Sequence, residues 1–250
     1  MFLNVQGLVV RATEYKERDL LLTLLTQEQG RITVKARNVR RRSSPTAVAC
    51  QLLAFSEFSL YEHHDQFIVN DARVVELFPG LRLDVKKLSL ATYISQVASL
   101  ISQEDIPSPE LLPLVLNCLY AISNLEIPEE KVKAVFELRC ACLAGFMPDL
   151  SGCYSCRSDM PDYFDVSSGQ LECISCRSLE SNGIRMPVSS GVLNAMRYIC
   201  FCEPKKIFSF SLGDEGILFL SQITETFLCA QLERGFSSLD LYKSLRMEIT

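Results

Sequence analysis

Hydrophobic and polar positions alternate along the first eighty residues, in short runs separated by turn-forming residues. The alternation is clearest at Phe58 and Leu60, which share one side of a strand and leave Tyr61 on the other. Turn signals at Gln29-Gly30 and His64-Asp65 separate neighbouring runs. The pattern predicts five strands, at residues 5–13, 20–26, 31–38, 53–62 and 66–76.

Five short strands in about eighty residues favour a small closed barrel over a two-sheet sandwich. A long connection at residues 40–46 joins the third strand to the fourth, and it is strongly basic. Both features are typical of the OB-fold, a five-stranded barrel that binds nucleic acids in many proteins. We therefore predict an OB-fold nucleic-acid-binding domain over residues 1–80.

The pattern changes to a helical period after Phe78-Pro79-Gly80, where we predict the domain boundary. Residues 83–101 place aliphatic side chains on one face of a helix. Ser108-Pro109-Glu110 predicts a helix start with the serine as N-cap and the proline in the first position, and Pro128-Glu129-Glu130 repeats the arrangement. The second of these helices is expected to stop at Gly145. Further helices are predicted from residue 190 and over residues 214–232.

A short, polar and glycine-punctuated segment that carries paired cysteines interrupts the helical pattern at residues 149–187. The sequence thus predicts an α+β fold: an N-terminal five-stranded OB-fold barrel, followed by an α-helical domain over residues 81–250 with an inserted zinc-ribbon-like element. Hydrophobic residues make up 48% of the chain and charged residues 22%, which excludes a core-poor disordered chain.

The N-terminus lacks a basic leader, and no uninterrupted apolar run reaches the roughly 18 residues of a membrane helix. We expect a soluble, cytoplasmic protein that does not contact a membrane. The net charge of -5 is unevenly distributed, because residues 1–50 hold nine Lys/Arg against four Asp/Glu, whereas the rest holds 16 against 26. This asymmetry indicates that the N-terminal part meets a polyanion.

The strongest motif is a pair of knuckles, Cys153-Tyr-Ser-Cys156 and Cys173-Ile-Ser-Cys176, with sixteen residues between them. Each knuckle supplies two thiolates and the intervening hairpin brings the pairs together, as in a zinc ribbon. Four thiolates leave no open coordination position, so we predict one structural Zn²⁺ per chain, held by Cys153, Cys156, Cys173 and Cys176. Two alternatives stay open: a thioredoxin-like redox pair, and chance spacing among eleven cysteines, as at Cys140/Cys142 and Cys200/Cys202.

A second motif is basic, and it continues from the third predicted strand into the loop that follows. Lys35 and Arg37 project from the same face of that strand. Arginine suits phosphate because its planar fork donates two hydrogen bonds and stays ionised, although such a run can also be merely solvated. Tyr15 and Tyr61 are the rings we expect to be exposed for base stacking. The predicted DNA-binding residues are Arg11, Arg31, Lys35, Arg37, Arg40, Arg41 and Arg42.

Several motifs of enzymes are missing from the sequence: the phosphate-binding G-x-x-x-x-G-K-[ST], the dinucleotide fingerprint G-x-G-x-x-G and the nucleophile elbow G-x-S-x-G. The two histidines, His63 and His64, are adjacent in a predicted turn, which disfavours general base chemistry. We therefore expect a protein without catalytic residues. Two alternatives are an adaptor with a structural zinc site and little direct DNA role, and a metalloenzyme that uses the cysteine site.

With these residues in view, the chain resembles the bacterial recombination-mediator family RecO over nearly its whole length. Gly7-Leu-Val-Val-Arg11 and Tyr15-Lys-Glu-Arg-Asp19 look like the first barrel strands of that family. Lys35-Ala-Arg37 and the following arginines resemble its basic barrel loop. Phe136-Glu-Leu-Arg139, followed by Gly145-Phe-Met-Pro-Asp-Leu150 just before the first knuckle, is similar to its most specific signature.

The resemblance implies a role in DNA repair and homologous recombination, in a cytoplasmic protein associated with the bacterial nucleoid. Members of the family bind single- and double-stranded DNA, anneal complementary strands, and work with RecR to load RecA onto DNA coated by single-stranded-DNA-binding protein (SSB). The resemblance also implies that the helical domain holds the acidic, hydrophobic C-terminal tail of SSB. Arg139 is the candidate for pairing with this tail, and a structural salt bridge is the alternative.

Three positions depart from the family pattern. Asn38 stands where glycine is common after the barrel strand, and Arg157 stands where glycine usually follows the first knuckle. Cys140-Ala-Cys142 replaces bulkier apolar residues. These departures concern loop geometry and local packing rather than the overall match.

Overall fold

Five strands in the first part of the chain close into a barrel, which confirms the predicted architecture. The computed structural model describes residues 2–41, 43–176 and 183–247. The strands are β1 (Phe2–Tyr15), β2 (Asp19–Thr26), β3 (Arg31–Ala36), β4 (Phe55–His63) and β5 (Gln66–Glu76). In the barrel order β1-β2-β3-β5-β4, the β3–β5 pair is parallel and the other pairs are antiparallel.

The barrel interior is filled by the inward-facing half of each strand, as alternation requires. Its buried core includes Leu24, Val34, Phe58 and Leu60. The pairing of β1 with β2 shifts between Val9 and Arg11, where a β-bulge adds one residue to β1. Such a bulge bends a strand and sharpens its twist, which helps a short sheet to close.

Three helices follow the barrel: α1 (Pro79–Arg82), α2 (Val85–Ile101) and α3 (Leu111–Asn124). Asp84 caps α2, because its carboxylate accepts hydrogen bonds from the backbone N–H groups of Lys86 and Lys87 at 2.8 and 3.2 Å. The cap explains why the helix begins at Val85 and not at residue 83, whose leucine side chain is exposed.

The predicted start of α3 is wrong by two residues. Ser108 does not cap this helix; its carbonyl accepts a hydrogen bond from the N–H of Leu111, and the intervening residues form a turn. Glu110 occupies the N-cap position without a side-chain cap. Pro128 likewise lies at the N-cap of the next helix rather than at its first position.

A second group of elements begins with α4 (Glu129–Leu143) and contains a small sheet in the order β6-β8-β7-β9. Its helix α4 ends in a Schellman motif, with Phe146 N–H donating to the Ala141 carbonyl at 2.8 Å and Gly145 N–H to the Cys142 carbonyl at 3.1 Å. Gly145 has φ 94°, so the predicted stop is confirmed for the expected reason. The other elements are β6 (Asp149–Cys153), β7 (Tyr163–Asp165), β8 (Gln170–Glu172), β9 (Arg185–Pro187), α5 (Ser190–Phe201) and α6 (Asp214–Gln231).

A last helix, α7 (Ser237–Met247), was not predicted from the sequence. It packs on α2, where the Ser238 hydroxyl lies 2.7 Å from the Gln96 side-chain oxygen and the ring of Phe236 lies 5.3 Å from that of Tyr93. The chain therefore forms two compact units, one of residues 1–126 with 236–250 and one of residues 127–235. The change from strands to helices near residue 80 falls inside the first unit.

Candidate metal centre and nucleic-acid interface

The four knuckle cysteines meet at one end of the small sheet. Cys153 ends β6 and Cys173 directly follows β8, so the parallel pairing of these two strands brings the knuckles together. The four sulfur atoms all lie within 4.8 Å of one another, and the Cys156 and Cys173 sulfurs are 3.7 Å apart. A tetrahedral site with metal–sulfur bonds of about 2.3 Å requires sulfur–sulfur distances of about 3.8 Å. These residues can therefore hold a metal ion, as the spacing predicted.

The backbone around Cys153 supports a thiolate ligand at this position. Cys173 N–H donates to the Cys153 sulfur at 3.4 Å, and Arg157 N–H closes the first turn on the Cys153 carbonyl at 2.8 Å. Burial raises the pKa of the Cys153 thiol, but the backbone N–H donors outweigh it and lower this pKa to about 6. Arg157 itself has φ 62°, in the left-handed region that favours glycine.

Most of the predicted DNA-binding cations gather at one end of the barrel. Arg37, Arg40 and Arg41 are exposed in the loop after β3, and the backbone N–H of Arg40 donates to the carbonyl of Arg18 in the β1–β2 turn at 3.1 Å. The sequence reading left out Lys16 and Arg18, which are exposed in that turn. The turn lies beside the loop because β2 and β3 are antiparallel, with Leu20 at the start of β2 paired with Ala36 at the end of β3. We call this region the basic end, formed by Lys16, Arg18, Lys35, Arg37, Arg40 and Arg41.

Arg11 extends the basic end along the outer surface of the barrel. It pairs with Thr23 in the ladder between β1 and β2, while Leu21 pairs with both Thr13 and Lys35. Directly paired residues point to the same side of a sheet, so Arg11 and Lys35 face outward on the same three strands. Tyr15 is exposed near them, as predicted, whereas Tyr61 is only half-exposed.

Two cations of the basic end have carboxylate partners. Arg40 lies 2.8 Å from Glu14 at the surface, and Lys35 lies 3.5 Å from Asp19 with its ammonium 4.5 Å from the centre of the Tyr15 ring. The side chains of Lys35 and Asp19 are only 14% and 16% exposed. The backbone N–H of Asn38 donates to Asp19 at 2.8 Å and, with Lys35, lowers the pKa of that carboxyl. Surface ion pairs contribute about 0–1 kcal/mol, so a phosphate can replace Glu14 beside Arg40 at little cost.

Arg31 lies at the other end of β3 and apart from the basic end. Its guanidinium donates to the Ser99 carbonyl at 2.8 Å and contacts Glu104 at 3.2 Å, which ties it to the last turn of α2 and the segment after it. The remaining predicted cation, Arg42, lies outside the described residues.

A groove of about 830 Å³ on the first unit carries the opposite charge. Its walls include the carboxylates of Glu28, Glu57 and Asp71, with Arg73 close to the last of these at 3.7 Å. Helix α3 supplies an apolar wall, from residues 112–116. Carboxylates repel phosphates, so this groove is poorly suited to a nucleic-acid backbone.

The predicted partner-binding residue, Arg139, is half-buried near the end of α4. Its guanidinium donates to the Cys200 carbonyl of α5 at 2.7 Å, a backbone contact rather than a salt bridge. Apolar side chains are exposed at the end of α5 and in the segment after α4, since Phe201 is 72% exposed and Met147 is 51% exposed. A cationic and apolar surface of this kind suits a ligand that is acidic and hydrophobic.

A buried ionic network between α4 and α6 was not foreseen. The ammonium of Lys133 lies 3.1 Å from Glu137 and 2.9 Å from Glu225, and it donates to the Ser221 hydroxyl at 3.0 Å. Burial raises the pKa of Glu137 to about 7, although Lys133 acts in the opposite direction. In the sequence, Lys133 and Glu137 look like an ordinary surface pair one helical turn apart, so no local signal reveals their burial.

The fold and these sites together define a barrel protein with a helical part and a four-cysteine element that can hold a metal ion. Comparison with family models identifies the class of protein. The model described as Recombination protein O N terminal matches residues 1–78, and the model described as Recombination protein O C terminal matches residues 82–240. The chain belongs to the RecO family of DNA repair proteins.

Relatives match along nearly the whole chain, and those described here bear the name DNA repair protein RecO. The protein of Acetivibrio thermocellus is 29% identical over 246 residues, covering 98% of this chain and 97% of its own. That of Alkaliphilus metalliredigens is 27% identical over 248 residues, with 98% and 100% covered. Within the described part of the chain, no helix has the length and hydropathy needed to cross a membrane.

Proposed function

We propose that the basic end and Arg11 form a binding surface for single- and double-stranded DNA. The observation that carries this proposal is the convergence of the β1–β2 turn with the loop after β3, which concentrates six cations at one end of a barrel. Tyr15, exposed beside Lys35, offers a flat ring on which a base can stack. Arg31 is left out of the proposed surface because it is engaged with α2 at the other end of its strand.

Strand annealing follows from this surface without bond-making chemistry by the protein. Cations that neutralise phosphates on two strands lower the mutual repulsion of the strands and raise their local concentration. Base pairing then supplies the free energy, and the protein has only to release the duplex. Ion pairs as weak as Arg40–Glu14 suit this cycle, since the carboxylate can take back the guanidinium when DNA leaves.

In the cell, we propose, this activity serves DNA repair and recombination at the nucleoid. The protein acts with RecR to load RecA onto DNA coated by SSB, as the family membership supports. The surface around Arg139 holds the acidic, hydrophobic tail of SSB, with Arg139 facing a tail carboxylate and Phe201 giving apolar contact. Tail binding brings the basic end to DNA that SSB covers.

The metal of the cysteine cluster is proposed to be one structural Zn²⁺, held by Cys153, Cys156, Cys173 and Cys176. Sulfur-only ligation suits zinc and leaves no exchangeable position, so the ion would fix the two knuckles rather than take part in a reaction. Metal analysis should give about one zinc per chain, with only sulfur ligands in the X-ray absorption spectrum. An oxygen ligand in that spectrum would contradict a structural site.

The experiment that tests DNA binding is a salt-titrated binding curve with labelled single-stranded DNA. Contacts with four to six phosphates predict that log affinity falls with log salt concentration at a slope of roughly -3 to -4. Replacing Arg37, Arg40 and Arg41 together with alanine should weaken binding and reduce the slope by about 2. The matched control replaces three exposed cations elsewhere, Arg73, Lys205 and Lys206, and should change neither quantity.

Equal losses in both triple variants would show that only net charge matters and would contradict a localised surface. Unimpaired DNA binding in the Arg37, Arg40 and Arg41 variant, combined with normal RecA loading in a reconstituted assay, would favour the adaptor alternative. The tail site has its own test, in which Arg139→Ala weakens binding of a labelled SSB tail peptide and leaves DNA binding intact.

A further inference from the structure

Two cysteine pairs outside the metal cluster come together in the second unit. Cys142 lies in the last turn of α4 and Cys200 in the last turn of α5, each within a Cys-x-Cys sequence. Their sulfur atoms are 3.8 Å apart, and the sulfur of Met147 lies 3.4 Å from that of Cys142. A disulfide needs about 2.05 Å between sulfurs, a distance that small side-chain and backbone movements can close from here.

The surroundings of Cys142 favour its thiolate and give access to it. Cys142 is half-buried rather than enclosed, and Arg139 is one helical turn before it. The neighbouring Cys200 thiol lowers the pKa of Cys142, burial opposes this, and the Arg139 guanidinium lowers it further. Low pKa, partial exposure and an adjacent second thiol are the properties of cysteines that react with peroxides.

Two buried thiols, Cys50 and Cys118, lack this combination. Cys50 and Cys118 are fully buried, and burial raises the pKa of the Cys50 thiol to about 12 and also raises that of Cys118. The Cys142 thiol raises the pKa of Cys200, so the buried Cys200 remains protonated and is suited to react second. The two partners therefore differ in the way that an attacking thiol and a resolving thiol differ.

We propose that Cys142 and Cys200 are a peroxide-sensitive thiol pair that forms a reversible intramolecular disulfide. The Cys142 thiolate attacks one oxygen of a hydroperoxide, the O–O bond breaks, and water or an alcohol leaves as Cys142 becomes a sulfenic acid. The Cys200 sulfur then attacks the Cys142 sulfur, the S–O bond breaks, and water leaves with the Cys200 proton. Two thiols lose two electrons in all, and the peroxide gains them.

Formation of the disulfide is expected to change the position of the Arg139 guanidinium. Arg139 donates its hydrogen bond to the carbonyl of Cys200 itself, so closing the sulfur–sulfur distance shifts the group that positions the guanidinium. If Arg139 holds the SSB tail, the disulfide should weaken tail binding about fivefold or more, a typical size of coupling between neighbouring sites. This consequence rests on the proposed function, whereas formation of the disulfide does not.

The test uses the reduced, zinc-loaded full chain, treated with hydrogen peroxide, quenched with N-ethylmaleimide and analysed by peptide mass spectrometry. Trypsin alone leaves residues 140–157 in one peptide with four cysteines, so chymotrypsin, which cuts after Phe146, is added to separate Cys142 from the first knuckle. Chymotrypsin also cuts after Phe201 and so separates Cys200 from Cys202. We expect a Cys142–Cys200 cross-link that dithiothreitol reverses, formed at least about tenfold faster than any oxidation of Cys202.

Variants assign the two roles. Cys200→Ser should abolish the cross-link and leave a sulfenic acid at Cys142 that dimedone traps, while the matched variant Cys202→Ser should still form the disulfide. Two results in the wild-type protein would overturn the proposal. One is that Cys142 and Cys200 stay unlinked although peroxide has oxidised other cysteines, and the other is that oxidation is confined to Met147. Failure of the reduced protein to bind the tail peptide would count against the proposed tail site and leave the thiol pair standing.

Discussion

The two compact units hold positively charged side chains in opposite ways. On the barrel, Arg40 pairs with Glu14 at the surface, at 2.8 Å. On α4, the side chain of Lys133 is 1% exposed, and its ammonium lies 3.1 Å from Glu137. The distances are similar, but the energies are not, because water screens the first pair and is excluded from the second. A cation at the barrel surface can exchange its carboxylate partner for another anion, whereas the buried Lys133 keeps its carboxylate partners.

The buried network also carries more negative groups than positive ones. Glu130, Glu137 and Glu225 all act on the single ammonium of Lys133 and raise its pKa, against the effect of burial. Three ionised carboxylates around one cation would leave uncompensated charge in a region without water. The raised pKa of Glu137, about 7, indicates that this carboxyl retains a proton below neutral pH. The network is therefore a structural feature that responds to pH.

The largest expected effect comes from Lys133→Met, which keeps the length of the side chain and removes its charge. The substitution leaves the fully buried Glu137 without its cation and also removes the contact of Lys133 with Glu225, which is 21% exposed, so we expect the free energy of unfolding to fall by about 3–5 kcal/mol. Urea denaturation followed by circular dichroism measures this change. The control is Lys205→Met, the same substitution at an exposed position of the same unit, which should have little effect. A Lys133→Met protein as stable as the control would show that the network is solvated in solution.

The next effect in size is the dependence of stability on pH. The Glu137 carboxyl has a pKa of about 7 in the folded protein against 4.5 as its ordinary value, so the folded state binds its proton more tightly than the unfolded state. Its contribution to stability is present below about pH 4.5 and is lost as the pH rises through about 7. We expect the free energy of unfolding to decrease from pH 5 to pH 8 by on the order of 2–3 kcal/mol.

Glu137→Gln should flatten this pH dependence, because the amide mimics the protonated carboxyl and does not titrate. Denaturation midpoints of both proteins at a series of pH values provide the measurement. An unchanged slope in the variant would place the titrating group elsewhere, and a stability that rises with pH would contradict the raised pKa itself.

The barrel was predictable because strand alternation is a local signal. The predicted strands at residues 20–26 and 66–76 match β2 and β5 to within one residue, and the turn at His64-Asp65 is found with positive φ at both positions. The four cysteines were predictable for the same reason, since each knuckle is four residues long and its chemistry admits few other uses. The glycine stop of α4 also depends on a single local conformation.

The missed features depend on contacts between distant parts of the sequence. Lys133 becomes buried only because α6 supplies Ser221 and Glu225, almost ninety residues away. Arg31 and Lys35 look alike as outward cations of one strand, yet the guanidinium of Arg31 is bound by the Ser99 carbonyl of α2, whereas the ammonium of Lys35 pairs with Asp19 at the start of β2. Helix α7 is short and needs α2 to cover its apolar side, so its own sequence gave too weak a signal. Tertiary packing, rather than propensity, decides all three.

The smallest expected effect on stability is that of Arg40→Ala, and it tests the other side of the comparison. The Arg40–Glu14 pair is exposed, so its loss should change the free energy of unfolding by only about 0.2–1 kcal/mol, while affinity for single-stranded DNA falls measurably at low salt. Arg31→Ala is the matched control on the same barrel, and we expect the reverse result. This substitution removes the contacts with Ser99 and Glu104, so it should lower the free energy of unfolding by about 1–2 kcal/mol and leave DNA affinity unchanged. Denaturation and DNA titration of the two variants side by side separate the two roles. Equal effects of both arginines on stability and on affinity would show that burial and position do not decide what a cation on this barrel does. The contrast between cations that exchange their partners and cations that keep them would then be wrong.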